Sequence, residues 1–101
     1  MARIEWAYQA ISSLSEIVAY IALDDPSAAE RLAERVFSHC EQLAKNPKSG
    51  PVVPEIPRSG YRQLIEPPCR IFYRIEGDLV YIVNIVRTEQ LFRPSLLDSD
   101  E

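Results

Sequence analysis

The chain is poor in the residues that dedicated chemistry usually needs. It has one histidine, His39, and only two cysteines, Cys40 and Cys69. With no C-x-x-C spacing, two thiols exclude both a disulfide framework and a zinc ribbon. His39 and Cys40 are neighbours, so on a helix they point to different sides, and no metal site is expected. No stretch approaches the roughly 20 apolar residues of a membrane-spanning helix. The opening Met1-Ala2-Arg3-Ile4-Glu5 lacks the basic-then-apolar pattern of a signal peptide, so a cytoplasmic location is expected. Internal repeats, low-complexity segments and cofactor motifs are missing too, and no cofactor is expected.

What is present reads as an ordinary folded chain. Hydrophobic residues make up 47% and charged residues 26% of the 101, which excludes a disordered tail. That length suits one domain, 1–101, with 90–101 as a C-terminal tail. The net charge of −4 argues against a surface that clamps nucleic acid all round, and no direct sequence-specific DNA binding is expected. The charge is unevenly spread. Arg58, Arg62, Arg70 and Arg74 stand against the single carboxylate Glu66, while Glu16, Asp24, Asp25, Glu30, Glu34 and Glu41 fall on or beside the helices.

Arg3-Ile4-Glu5-Trp6 alternates polar and apolar and predicts a short strand. From Ala7 to Leu23 the spacing of Ala10, Leu14, Ile17 or Val18, and Ile21 predicts a helix. Asp24-Asp25-Pro26 breaks it. Asp25 as cap and Pro26 at the first turn open a second helix to about Lys45, with Ala29, Leu32, Val36, Cys40 and Leu43 along one side. A capping box at Ser27–Glu30 is the alternative start. Asn46-Pro47 ends this helix, and Lys48–Ser59, holding Pro51, Pro54 and Pro57, reads as an extended connector. Three strands follow: Tyr61–Ile65, Cys69–Ile75 and Leu79–Arg87, the last two joined by a tight turn at Glu76-Gly77-Asp78. Val80–Val86 is apolar on both faces except at Asn84, as in a central strand covered on both sides. The expected fold class is α+β, a helical hairpin packed on a small antiparallel sheet in the order β-α-α-β-β-β.

This order, with particular residues in it, resembles the RelE/ParE toxin superfamily, closest to its ParE-like branch. The matching pieces are Ile4-Glu5-Trp6, Tyr20-Ile21-Ala22, Pro26-Ser27-Ala28-Ala29 and Leu43-Ala44-Lys45-Asn46-Pro47. They continue with Gly60-Tyr61-Arg62-Gln63-Leu64, Arg70-Ile71-Phe72-Tyr73-Arg74-Ile75 and Ile85-Val86-Arg87-Thr88-Glu89. The resemblance implies the toxin of a type II toxin–antitoxin pair. RelE-like members cut messenger RNA on the ribosome; ParE-like members poison DNA gyrase and are neutralised by ParD-like antitoxins. Ribonuclease members use sheet-face cations and a Tyr or His near the C-terminus for acid–base work. Here Leu64 and Thr88 stand where such cations would be, and neither Tyr nor His follows Tyr81. No catalytic residue is assigned. The reading is a gyrase inhibitor without chemistry of its own, with a ribonuclease or a non-toxic antitoxin-binding module as alternatives.

The candidate target-binding residues are Arg62, Arg70, Arg74, Arg87 and Glu89. The arginines equally fit a wetted sheet face, which is polar in any case, and Arg87 and Glu89 equally fit a pair with each other at the strand end. Val18, Tyr20 and Phe37 lie off the main apolar stripes and are the candidate antitoxin contacts, with addition of an antitoxin strand to a sheet edge as a second mode.

Overall fold

The computed structural model describes residues 1–98; of the predicted tail 90–101, residues 99–101 lie outside the described residues. Strand β1 (Arg3–Trp6) leads into helices α1 (Tyr8–Ala22) and α2 (Pro26–Glu41), the latter prolonged by a 3-10 turn at Gln42–Ala44. Strands β2 (Arg62–Glu66), β3 (Cys69–Glu76) and β4 (Leu79–Arg87) follow, and a second 3-10 turn, Pro94–Leu97, closes the described chain. No described helix is long and apolar enough to cross a membrane.

Local chemistry accounts for the boundaries. Ala7 at the start of α1 supplies no side-chain cap, which is why the sequence marks that start so poorly. Asp25 caps α2, its Oδ1 accepting from the Ala28 N–H at 3.1 Å, and Pro26 occupies the first turn. Of the two predicted starts, the earlier holds. Gly77 takes a φ of 60° in the β3–β4 turn, a region that glycine enters without steric penalty.

The four strands lie in the order β1-β4-β3-β2. The pairs β2–β3 and β3–β4 are antiparallel, as expected. The first strand departs from the expected all-antiparallel sheet: β1 runs parallel to β4, with Arg3 opposite Leu79 and Trp6 opposite Ile82. The two helices lie between these strands in sequence and act as the crossover that a parallel pair requires.

Both sheet faces are covered. The helix side holds Leu14, Leu32, Val36, Cys40, Leu43, Leu64, Ile71, Tyr73 and Ile82 in one buried cluster. The other side holds a smaller cluster of Val53, Phe72, Val83, Val86 and Leu97, roofed by Ile56, Tyr61, Phe92 and Leu96. The connector and the tail therefore form a third layer. A register shift opposite Phe72/Tyr73 gives β4 an extra residue, so Val80, Ile82 and Ile85 face the helices while Val83 and Val86 face the connector and tail. Asn84 fixes this bulge, its Oδ1 accepting from the Ile85 N–H at 2.8 Å and its Nδ2 donating to Leu96 O at 2.9 Å.

Candidate functional site

Arg70, Phe72 and Arg74 share the sheet face away from the helices, as period two requires. That face is not the open one expected. Arg70 is only 8% exposed. Its Nη1 donates to Glu55 Oε2 at 3.0 Å, its Nη2 bonds the other carboxylate oxygen, and its Nε donates to Gln63 Oε1 at 2.7 Å. The guanidinium also lies 4.9 Å from the Phe72 ring centre and 5.6 Å from that of Phe92. The hydrogen bonds from Arg70 hold the Glu55 carboxyl below the usual carboxylate range, against some desolvation. Arg74 is nearer solvent, over the Tyr81 ring at 4.5 Å and paired with Glu76.

Arg62 is not part of this face. It stands opposite Tyr73, on the helix side, and its Nη1 donates to Gly50 O at 2.7 Å and Lys48 O at 3.3 Å. The sequence carried the signal: Leu64, two residues on, belongs to the helix-side core, and residues two apart on a strand share a face. Arg62 thus ties the connector down, whereas Gln63 reaches Arg70.

Arg87, partly exposed, and Glu89, well exposed, pair with each other at 2.7 Å. This pairing raises the arginine's affinity for its proton and lowers that of the carboxylate. The Arg87 guanidinium is 5.9 Å from the Tyr20 ring centre. Together with Glu16, Ile17 and Glu89 these two residues line a cleft at the end of β4, continued by Leu23 and Asp24. The structure thus unites Tyr20 and Arg87, which the sequence reading assigned to different partners.

The antitoxin trio is separated instead. Val18 and Tyr20 are two residues apart on α1 and so point about 200° apart. Val18 packs half-buried against the helix-side core, and Tyr20 is 69% exposed. Phe37 is 50% exposed and rests on Trp6, ring centres 5.0 Å apart. These three residues do not make one surface patch.

A further cluster escaped the sequence reading. Glu66, at the end of β2, accepts from Arg35 Nε at 3.1 Å and lies 3.1 Å from His39 Nδ1. Arg31, Arg35 and His39 recur every four residues, the one signal that places them on a single helix face. With Glu34 and Ser38 they border a shallow groove. Among the described residues, no group of three His, Cys, Asp or Glu side chains could hold a metal ion. The groups that remain accessible, Arg74, Tyr20 and the Arg87–Glu89 pair, offer charge, stacking and shape.

The family model described as "ParE toxin of type II toxin-antitoxin system, parDE" matches residues 4–92. Toxin RelE2 of Caulobacter vibrioides is 33% identical over 92 residues, covering 90% of this chain and all of the relative. Y4kP of Sinorhizobium fredii is 38% identical over 88 residues, covering 87% and 90%. Among solved structures, a chain of the chromosomal ParDE TA system from P. aeruginosa superposes with a TM-score of 0.74, covering 88% of this chain and 98% of that one. At 22% identity that likeness speaks for the fold.

Proposed function

Since the chain belongs to the ParE toxin family of type II toxin–antitoxin systems, we propose that it poisons DNA gyrase by binding, with no bond-breaking of its own, and that a ParD-like antitoxin neutralises it. The observation that carries this reading is the occupied sheet face. A ribonuclease on this scaffold would need free cations there for phosphate. Here Glu55 engages both terminal nitrogens of Arg70, and Phe92 stands edge-on over Phe72 at 5.8 Å. Leu64, at a position where a second cation would be sought, lies in the core. Binding needs only complementary charge and shape, and the partly exposed Arg74 and Arg87 with the exposed Tyr20 supply both.

The name of the Caulobacter relative favours ribosome-dependent cleavage as a second reading. One pair of assays separates them. Purified toxin is added to a gyrase supercoiling reaction, scored for lost supercoiling and trapped cleaved DNA, and in parallel to translating ribosomes with messenger ends mapped. The expected result is inhibited gyrase and intact messenger. Full gyrase activity at micromolar toxin, with codon-register cleavage, would replace the proposal by the ribonuclease reading. Unimpaired growth of cells expressing the chain alone would leave only a non-toxic antitoxin-binding module.

A further inference from the structure

β1 covers only the first half of β4. Its register ends with Trp6 opposite Ile82, and just beyond, the Val83 carbonyl accepts from Gln9 Nε2 at 2.9 Å. Backbone groups along a strand alternate between its two neighbours. Asn84, Val86 and Thr88 turn toward β3, the Thr88 N–H reaching Pro68 O at 2.9 Å, so Ile85 and Arg87 turn outward. Of their four groups two are engaged: the Ile85 N–H by Asn84 Oδ1 at 2.8 Å, and the Arg87 carbonyl by the Gln90 N–H at 3.0 Å. The Ile85 carbonyl and the Arg87 N–H have no hydrogen-bond partner among the described residues. They open into a slot walled by Ser13 and Ile17 of α1 on one side and by Gln90 and Leu96 on the other.

An acceptor on one residue and a donor two residues later is what a single residue of a parallel neighbour satisfies. An antiparallel neighbour needs both groups of one residue, and here each candidate has one group already taken. β1 bonds to β4 upstream in the same parallel sense, where the Arg3 N–H reaches Asp78 O at 2.7 Å and the Ala7 N–H reaches Ile82 O at 2.9 Å.

Resting on the toxin–antitoxin reading above, we propose that this slot receives an extended segment of the antitoxin, added to β4 in parallel and in line with β1. The incoming residue opposite Val86 turns toward the tail side, where Val86 packs with Leu96 and Leu97. The residues on either side of it turn toward α1, where Ile17 and the exposed Tyr20 offer apolar contact. The segment should therefore carry apolar side chains two residues apart. An unfolded antitoxin tail suits this mode, because main-chain bonds supply affinity and alternate side chains supply specificity.

The test takes isotope-labelled toxin, adds the protein encoded beside its gene, and reads amide hydrogen exchange. The Arg87 amide should exchange freely in the toxin alone and slow by at least about a hundredfold in the complex. Arg87→Pro removes this donor at a sheet-edge position, whereas Arg87→Ala keeps it. The proline variant should bind about three- to tenfold more weakly than the alanine variant, the loss of one backbone hydrogen bond. If the proline variant does not fold, the exchange measurement decides alone. A complex in which the Arg87 amide still exchanges at the free rate overturns the proposal. Protection that grows with toxin concentration alone assigns the slot to a second copy and overturns it as well. Absence of any complex overturns the toxin–antitoxin reading beneath it.

Discussion

Glu55 and Arg70 meet end-on, one from the connector and one from β3, with both carboxylate oxygens bonded to the two terminal guanidinium nitrogens. The arginine is the buried partner and the carboxylate the more exposed one, at 10% and 40% side-chain exposure. Removing the carboxylate therefore strands a charge, whereas removing the arginine leaves a carboxylate that water can solvate. Glu55→Ala should lower stability by about 1.5–3 kcal/mol and Arg70→Met by less, read from urea midpoints. The lowered pKa of Glu55 fixes the sign of the pH dependence. Its stabilisation is complete above the unfolded glutamate value of about 4.3 and is lost as pH falls through the lower folded value. Wild type should thus lose stability more steeply than Glu55→Gln on acidification below about pH 5. Parallel curves would remove the pair from the stability account.

Tyr73 is the second bolt on the connector. Its hydroxyl donates to Pro47 O at 2.7 Å and accepts from the Gly50 N–H at 3.0 Å. Tyr73→Phe leaves both backbone groups without this partner and should cost about 1–3 kcal/mol. Gly50→Ala should cost more, because its Cβ would lie 2.3 Å from the Gln63 carbonyl oxygen and 2.8 Å from the Tyr73 hydroxyl. Thermal melts of the two variants test the order; a Gly50→Ala protein as stable as wild type would contradict the close approach.

Val18 and Phe37 should part company under the same substitution. Val18 packs against the helix-side core, so Val18→Asp should unfold the chain or shift its midpoint strongly. Phe37 is half-exposed on Trp6, so Phe37→Asp should fold. Circular dichroism melts decide, and a stably folded Val18→Asp variant would refute this placement.

Both thiols should be inert in the native protein. Burial pushes Cys40 up to about 12, helped by the neighbouring Glu41, and pushes Cys69 up against the influence of Arg87. Since the thiolate is the reactive form, a thiol reagent at about pH 8 should label neither cysteine until denaturant unfolds the chain. Rapid labelling of Cys40 without unfolding would show that α2 opens locally.

The fold is legible in the sequence where a pattern repeats. The helical spacing of Leu14 and Ile21, and of Leu32, Val36 and Cys40, placed both helices; Gly77 placed the hairpin; and the apolar run of β4, interrupted only at Asn84, announced a strand covered twice. Val53, Ile56 and Leu97 were illegible because each stands among prolines or in a tail, with no period to reveal a buried face. The Glu55–Arg70 pair joins residues fifteen apart through a loop whose path no local rule dictates. Without that pair Arg70 looked like a free cation. Two placements are legible in the sequence itself. Leu64 already implied the side on which Arg62 sits, and helical geometry alone separates Val18 from Tyr20. The parallel pairing of β1 had no local signature, since four alternating residues announce a strand but not its neighbour.

That pairing also orders the birth of the molecule. Arg3–Trp6 leave the ribosome well before the strand they join, Leu79–Arg87, which follows two helices and two further strands. Until that strand emerges Ile4 and Trp6 have no partner strand to lie beside, and long-range contacts of this kind form late. The nascent chain can assemble its helical hairpin early, but it closes its sheet only once Leu79–Arg87 has emerged.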